Sequence, residues 1–428
     1  MTAVQPRVVI GRFHDGSATP NWGGRATSMA LAGLVARAAG AGEVRPLNGT
    51  FNTQPFEHGA VPEGAATDDP SIRFRVIRET AAAIIADPQP GEQAALLDTL
   101  TGADELWMNG EGDPILARKR TTLARTLLIM EVALQLGLTV RMVNSILSIP
   151  PGVERVHPVV TRALGDVLRR CSSVVYRDPE SLELHGTMFP DVDADWVPDA
   201  LFAWADLPIH RSGDFGPFSE GLAPATAQFL ADRTPYVAVS GASGPRASED
   251  DRVAALRELV TGLREAGYRV LLVATDRGDA WLRAALDIEG TAYMGPGNPL
   301  ATGRAALAGA AAFVSGRYHP SILAYGVGVP CVLMSSNSHK TRSLQRVMGV
   351  DAREHPGFGQ GDTAELLADA LAAARVSTRA RKALQRRARR NAAGVTARFA
   401  ALGRDAELAA LAGRREDVAP LTLHDTPV

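Results

Sequence analysis

Short β-branched runs that end in glycine-bearing turns alternate with Ala- and Leu-rich stretches of helical period, in two successive sets along 428 residues. A continuous apolar run of strand length followed by apolar residues three and four apart reads as a buried parallel strand and its covering helix, so the alternation specifies parallel sheets covered on both faces. The first set opens with a strand over 7–13 (RVVIGRF), the turn-rich HDGSATPNWGG and a helix starting near Arg25. It continues with a helix over 72–86, the strand ADELWMNGEG ending at Gly112, a helix over 123–136, the strand TVRMVNSIL, a helix over 159–170, and SSVVYRDPES followed by DWVPDALF. The second set runs YVAVSGASG as strand and glycine loop, a helix over 252–266, YRVLLVATD, a helix over 279–286, the strand AAFVSGRYH, a short helix in SILAYGVGVP and the strand PCVLMSS.

Two such halves imply α/β architecture with two facing Rossmann-like domains. Ligands in sheets of this kind bind where loops leave the carboxyl ends of strands. The expected division is an N-terminal domain over 1–205, a linker over 206–233, where His, Gly, Pro and Phe occur without period, and a C-terminal domain over 234–412 that ends in a long helix. The last stretch, 413–428, reads as a flexible tail.

With 46% hydrophobic and 21% charged residues the chain has the composition of a folded globular protein. A net charge of −2 sets up no global attraction to nucleic acid, so any anion site is local. Cys171 and Cys331 stand alone among apolar or small neighbours and read as free thiols in a reducing compartment. The opening MTAVQPRVVIGRF has no apolar run behind a basic start and no window has the length of a membrane span, which points to the cytoplasm. A basic stretch over 375–404 reads either as a solvated helix face paired with acids elsewhere or as a peripheral membrane contact.

The most informative segment is VSGRYHPSILAYGVGVPCVLMSSNSHKTRSL, beginning at Val314. Its strand ends at Ser315, and Arg317 and His319 emerge just before a helix whose N-terminal amides face the same way. Two cationic groups and a helix dipole suit a phosphate or carboxylate. The competing reading is an Arg paired with an acid and a His packed at a helix start. The next strand delivers Asn337, His339 and Lys340. Arg177 and Ser181 follow the SSVVY strand, with Asp178 or Ser181 as a cap, and Asp199 in WVPDALF sits at another strand end, as a structural turn residue or a ligand contact. Asn109, Glu111 and Asp113 follow a strand into a turn and offer carboxylates. Asn21, Gly23 and Gly24 stand between the first strand and helix, where backbone can approach a ligand, but not at dinucleotide-fingerprint spacing. The chain has no Walker loop, no G-x-S-x-G, no H-E-x-x-H and no paired C-x-x-C.

The order Arg-x-His, helix, Gly-x-Pro strand and lysine in SGRYHPSILAYGVGVPCVLMSSNSHK resembles the signature of polysaccharide pyruvyl transferases, and NWGG, NGEGD, RDPES and VPDALF fall in that family's order. The resemblance implies a glycosyltransferase B-like fold, with phosphoenolpyruvate as donor in the C-terminal half and a sugar or glycan acceptor, free or lipid-linked, in the N-terminal half. It implies that Arg177, Ser315, Arg317, His319 and Lys340 hold the donor, and that Asn21, Gly23, Asn109 and Glu111 face the acceptor. Arg317 and a proton carrier, His319 or Glu111, would be catalytic, with His319 favoured because an imidazole titrates near neutral pH. No metal or cofactor is implied. The family often has an acid after the first-loop glycine, where this chain has Gly24. The first competing reading is a nucleotide-sugar glycosyltransferase. It would want a carboxylate for a ribose, which SGASG and GRYHPS lack and which ATDRGD supplies as Asp276 and Asp279. The second is a non-catalytic binding protein.

Overall fold

The computed structural model describes residues 6–14, 20–40, 43–48, 71–117, 119, 121–207, 221–244 and 247–402. The chain forms two compact units, one comprising the residues up to Asp15, Ser28–Ala200 and the chain from Val395, the other Gly16–Thr27 and Leu201–Gly394. The elements up to Ala200 are β1 (Arg7–Phe13), α1 (Trp22–Ala39), β2 (Glu43–Asn48), α2 (Ile72–Arg75), α3 (Ile77–Ala86), α4 (Glu92–Leu100), β3 (Glu105–Glu111), α5 (Thr121–Gln135), β4 (Thr139–Ser145), α6 (Pro158–Leu168), β5 (Ser173–Tyr176), α7 (Pro179–Met188) and β6 (Asp195–Trp196). After a 3₁₀ segment, Ala200–Asp206, come α8 (Pro224–Ala231), β7 (Tyr236–Ala242), α9 (Glu249–Glu265), β8 (Arg269–Val273), a second 3₁₀ segment over Arg277–Ala285, β9 (Thr291–Met294), α10 (Leu300–Gly309), β10 (Phe313–Gly316), α11 (Tyr318–Gly326), β11 (Cys331–Leu333), α12 (Lys340–Met348), α13 (Thr363–Ala374) and α14 (Thr378–Leu402).

Both sheets are parallel throughout, in the orders β2-β1-β3-β4-β5-β6 and β11-β10-β7-β8-β9. In the first, Val9 stands opposite Arg45 on one side and Leu106 on the other. In the second, Ala238 faces Leu271 and Phe313. Each sheet has its own apolar core: Val9, Leu106, Met142 and Val174 belong to one cluster, and Val237, Val270, Leu272 and Val314 to the other. Burying each such side chain stabilises the fold by about 1.5–3 kcal/mol.

The structure departs from the expected elements in instructive ways. The helix expected over 72–86 is broken at Val76 (φ −104°) into α2 and α3. The helix expected from Arg25 begins earlier, because Asn21 caps it. Part of the expected linker is ordered as α8, whose Thr226 hydroxyl donates to the Tyr293 carbonyl at 2.8 Å. Residues 208–220 and the expected tail over 413–428 lie outside the described residues. Both thiols are free; burial raises Cys171 to about 12 and Cys331 well above its ordinary value. Among the described residues no helix is long and apolar enough to cross a membrane.

Candidate active site

In the second unit the strand order reverses between β7 and β10, the place where open α/β sheets hold ligands. Glycines let backbone and carboxylate close in here: a Cβ on Gly316 would overlap Ala242, and one on Gly241 would overlap the Asp279 carboxylate. Asp279 is buried, its Oδ1 accepting from Arg317 Nη2 at 2.6 Å and its Oδ2 from the Thr275 amide at 3.1 Å. Asp276 Oδ1 lies 3.9 Å from Arg317 Nη2. Arg317 is therefore where the sequence placed it, yet its charge is already met by the two carboxylates of ATDRGD. Its Nε is buried without an acceptor, so the guanidinium keeps an unmet donor.

His319 is the second residue of α11 and is half-buried, its ring 5.2 Å from that of Tyr318. Ser315 is buried and accepts from the Arg317 amide at 3.0 Å, while Ser321 Oγ donates to the Arg317 carbonyl at 2.7 Å. These bonds fix the strand-to-helix turn, so Ser315 shapes the loop that carries Arg317. Lys340 opens α12, half-buried, with Nζ donating to Asn337 Oδ1 at 2.8 Å.

Asn21 and Gly23, expected with the first domain on the acceptor side, belong instead to this second unit. The reason is a docked helix start. The Trp22 amide donates to the Thr275 carbonyl at 3.0 Å, its indole is fully buried against Gly303, and Asn21 Nδ2 donates to Asp276 Oδ2 at 2.8 Å. Asn21 Oδ1 also accepts from the Gly24 amide at 3.0 Å. Gly23 leaves room for the His319 imidazole: a Cβ there would stand 2.5 Å from its Nδ1.

In the first unit the order reverses between β1 and β3, and a second polar constellation occupies those strand ends. Arg12 is ion-paired with Asp113 and donates to the Gly110 carbonyl at 3.1 Å. His14 Nε2 lies 3.4 Å from Glu111 Oε2; the hydrogen bond to Glu111 raises the imidazole above its ordinary pKa, against the opposing effect of burial. Among the described residues, the non-glycine residues in the left-handed region are Arg12 (φ 56°), Glu111 (φ 44°) and Asn144 (φ 52°), on the neighbouring strands β1, β3 and β4. Such conformations cost roughly 1–3 kcal/mol each and gather at functional sites. Asn144 Nδ2 donates to Asn109 Oδ1 at 3.1 Å, and its own Oδ1 accepts from the Ala200 amide at 2.9 Å. Arg177, expected at the donor, lies in this first unit, buried, with Nη1 donating to Asp199 Oδ2 at 3.0 Å. Asp178 caps α7 by accepting from the Ser181 amide at 2.8 Å.

The structure thus divides the sequence candidates between the units: Asn109, Glu111, Asp113, Arg177 and Asp199 in the first, and Asn21, Gly23, Ser315, Arg317, His319 and Lys340 in the second. The model of one family, polysaccharide pyruvyl transferase, matches residues 123–338, just over half of the chain and including Arg177, Arg317 and His319. The chain belongs to the polysaccharide pyruvyl transferase family. Family membership makes it a transferase of the glycan-modifying kind. No curated protein matches it by sequence. Among solved structures it is similar to Os79 from O. sativa in complex with UDP, at 14% identity over 93% of this chain and 99% of that chain, with TM-score 0.52. It is also similar to UGT89C1 from Arabidopsis thaliana complexed with UDP, at 13% identity over 92% and 100%, TM-score 0.53. A third is a trehalose 6-phosphate synthase from Burkholderia multivorans, at 14% identity over 97% and 100%, TM-score 0.50. At these identities the likeness concerns the fold, which is glycosyltransferase B-like with two parallel-sheet α/β domains, as expected for the pyruvyl transferase chain.

Sequence reasoning missed Arg12, His14 and Asn144. The available signal for the first two was their i, i+2 spacing across the end of a strand. For Asn144 there was none, because only its φ distinguishes it from an ordinary strand residue.

Proposed function

We propose that this pyruvyl transferase moves the enolpyruvyl group of phosphoenolpyruvate onto two hydroxyls of a sugar, forming a cyclic pyruvate ketal and releasing phosphate. The observation that carries this reading is the convergence, within the second unit, of Arg317, His319, Asn21 and Gly23 around the β7–β10 reversal. Protonation of the methylene carbon makes C2 oxocarbenium-like, and a sugar hydroxyl adds there as its proton passes to a base. The C2–O bond to phosphate then breaks, and the second hydroxyl closes the ketal at C2, giving up its own proton. Arg317, held by Asp279, and Lys340 would bind the phosphate and carboxylate of the donor; His319, whose ring packs against Gly23, would carry a proton. Arg177, Asn109 and Glu111 support a role in the first unit, with Glu111 as the base toward the acceptor.

A nucleotide-sugar glycosyltransferase is the second reading, favoured by the UDP complexes among the fold neighbours. Asp279 speaks against it, since that carboxylate is buried and occupied by Arg317 and Thr275 rather than presented to a ribose. The deciding test is a thermal-shift titration with phosphoenolpyruvate, UDP and GDP on wild type and Arg317→Ala. A ligand that binds only the native state raises the melting temperature. Stabilisation by phosphoenolpyruvate, lost in the variant, is the expected result; stabilisation by a nucleotide alone would replace the reading with glycosyl transfer.

A further inference from the structure

The last helix separates its cations into two classes. Arg381 donates to the carbonyls of Ala310 and Ala311 at 2.9 and 2.8 Å, Arg387 to those of Met348 and Gly349 at 3.3 and 2.6 Å, and Ala388, Asn391 and Ala392 are buried on the same side. At about 100° per residue, Arg379, Lys382, Arg386, Arg389 and Arg390 fall within an arc of roughly 100° on the opposite side. All five are exposed. Arg389 lies 3.9 Å from Asp206, whereas Arg379, Lys382, Arg386 and Arg390 have no ion-pair or hydrogen-bond partner among the described residues. The helix contains no Asp or Glu at all. The expectation that the charges of this stretch pair with acids elsewhere is met within the stripe by Arg389 alone and, further along the helix, by Arg398, which lies 2.9 Å from Asp195.

We infer that this stripe is a docking surface for an anionic lipid membrane. The charges lie along one face of a continuous helix over a length of about 17 Å, a line suited to a flat layer of headgroup phosphates rather than to a groove-bound ligand. No aromatic residue is interleaved with them; the helix's one aromatic side chain, Phe399, is buried. A stacking platform for single-stranded nucleic acid is thus missing from the stripe. The chain as a whole carries a charge of −2, so a general polycation effect does not explain the concentration of cations on one face. Contact through the stripe is peripheral: it places the helix parallel to the bilayer and inserts nothing.

The test is co-sedimentation of the full chain with phosphatidylcholine vesicles and with vesicles of phosphatidylcholine and phosphatidylglycerol, at low and high salt. The expected result is binding to the anionic vesicles only, weakened by salt. It should fall roughly five-fold for each cation removed in Arg379→Gln, Lys382→Gln, Arg386→Gln and Arg390→Gln, singly and combined. A Lys-for-Arg version at the three arginines should retain binding, which separates loss of charge from loss of folding. Equal binding by the charge-free variant, or no binding to either vesicle, overturns the inference. Binding to a single-stranded RNA with the same four-residue dependence and none to vesicles would overturn it in favour of nucleic acid.

Discussion

The two strand-order reversals both use glycine for close approach, but among the described residues only the first adds strained backbone to it. In the second unit, crowding between β7 and β10 is relieved by deleting side chains: Gly241 makes room for Asp279, Gly316 for Ala242, and Gly23 for His319. In the first unit Gly11 and Gly110 likewise make room for Met108 and Ser145, and the backbone in addition adopts left-handed conformations at Arg12, Glu111 and Asn144. Glycine permits close approach and a rigid cradle, which suits holding an anion near a fixed guanidinium. A strained residue that keeps its carboxylate re-aims that carboxylate at the strand end, which suits proton exchange with a hydroxyl. The comparison predicts that substitutions at the second unit's reversal act on the donor and those at the first unit's reversal on the pH profile and the acceptor.

The largest expected effect is on catalysis. His319→Ala should lower kcat by about 10²–10⁴ while phosphoenolpyruvate still raises the melting temperature. Phosphate release under single-turnover conditions and the thermal shift separate the two; loss of the shift with the rate retained would make His319 a binding residue. Next, Asp279→Ala should cost about 3 kcal/mol of stability, because it leaves a largely buried guanidinium with only the 3.9 Å contact to Asp276. Gly241→Ala should cost about 1–3 kcal/mol by pushing a methyl into the same carboxylate. Urea melts of both and of the double variant test their common cause: the two costs should fall short of additive by at least ~0.5 kcal/mol, since the clash disappears with the carboxylate. Strict additivity would mean that the two positions do not act on one contact.

The doubled α/β pattern was legible because buried parallel strands write themselves as unbroken apolar runs, as in RVVIGRF and YRVLLVATD. Elements without such runs were not: β2 carries Pro46 and charged residues, and β9 has four residues, TAYM, with a polar start. Arg317 and His319 could be placed from the strand that precedes them. The partner of Arg317 could not, since Asp279 is 38 positions away and only the adjacency of β8 to β7, and of β7 to β10, brings it near. Asn21 and Gly23 were misassigned for a related reason. Chain order puts them with the first sheet, whereas the hydrogen bonds from Trp22 to Thr275 and from Asn21 to Asp276 tie them to the second. Local period reports elements; which strand ends share a site is a matter of sheet order, and that is set by long-range packing.

Glu111→Gly sharpens the claim that the first unit's constellation stores strain. Glycine adopts φ 44° without penalty, so removing the side chain should relieve about 1 kcal/mol of backbone strain while deleting the carboxylate beside His14. Stability should hold or rise as activity falls; a marked loss of stability would show that the carboxylate's contacts outweigh the strain. The smallest effect belongs to His14→Gln, and its sign follows from linkage. The folded-state pKa of His14 lies above its ordinary value, chiefly through Glu111, with Asp113 adding to the shift while Arg12 and burial oppose it. The protonated imidazole is thus favoured in the folded chain, so its contribution is fully present below about pH 6.5 and is lost as pH rises through the raised pKa. Urea melts across this range should show wild type more stable than the variant on the acid side and the two converging on the alkaline side. A gap that widens toward alkaline pH would mean that the imidazole is held neutral, and that Glu111 has another partner.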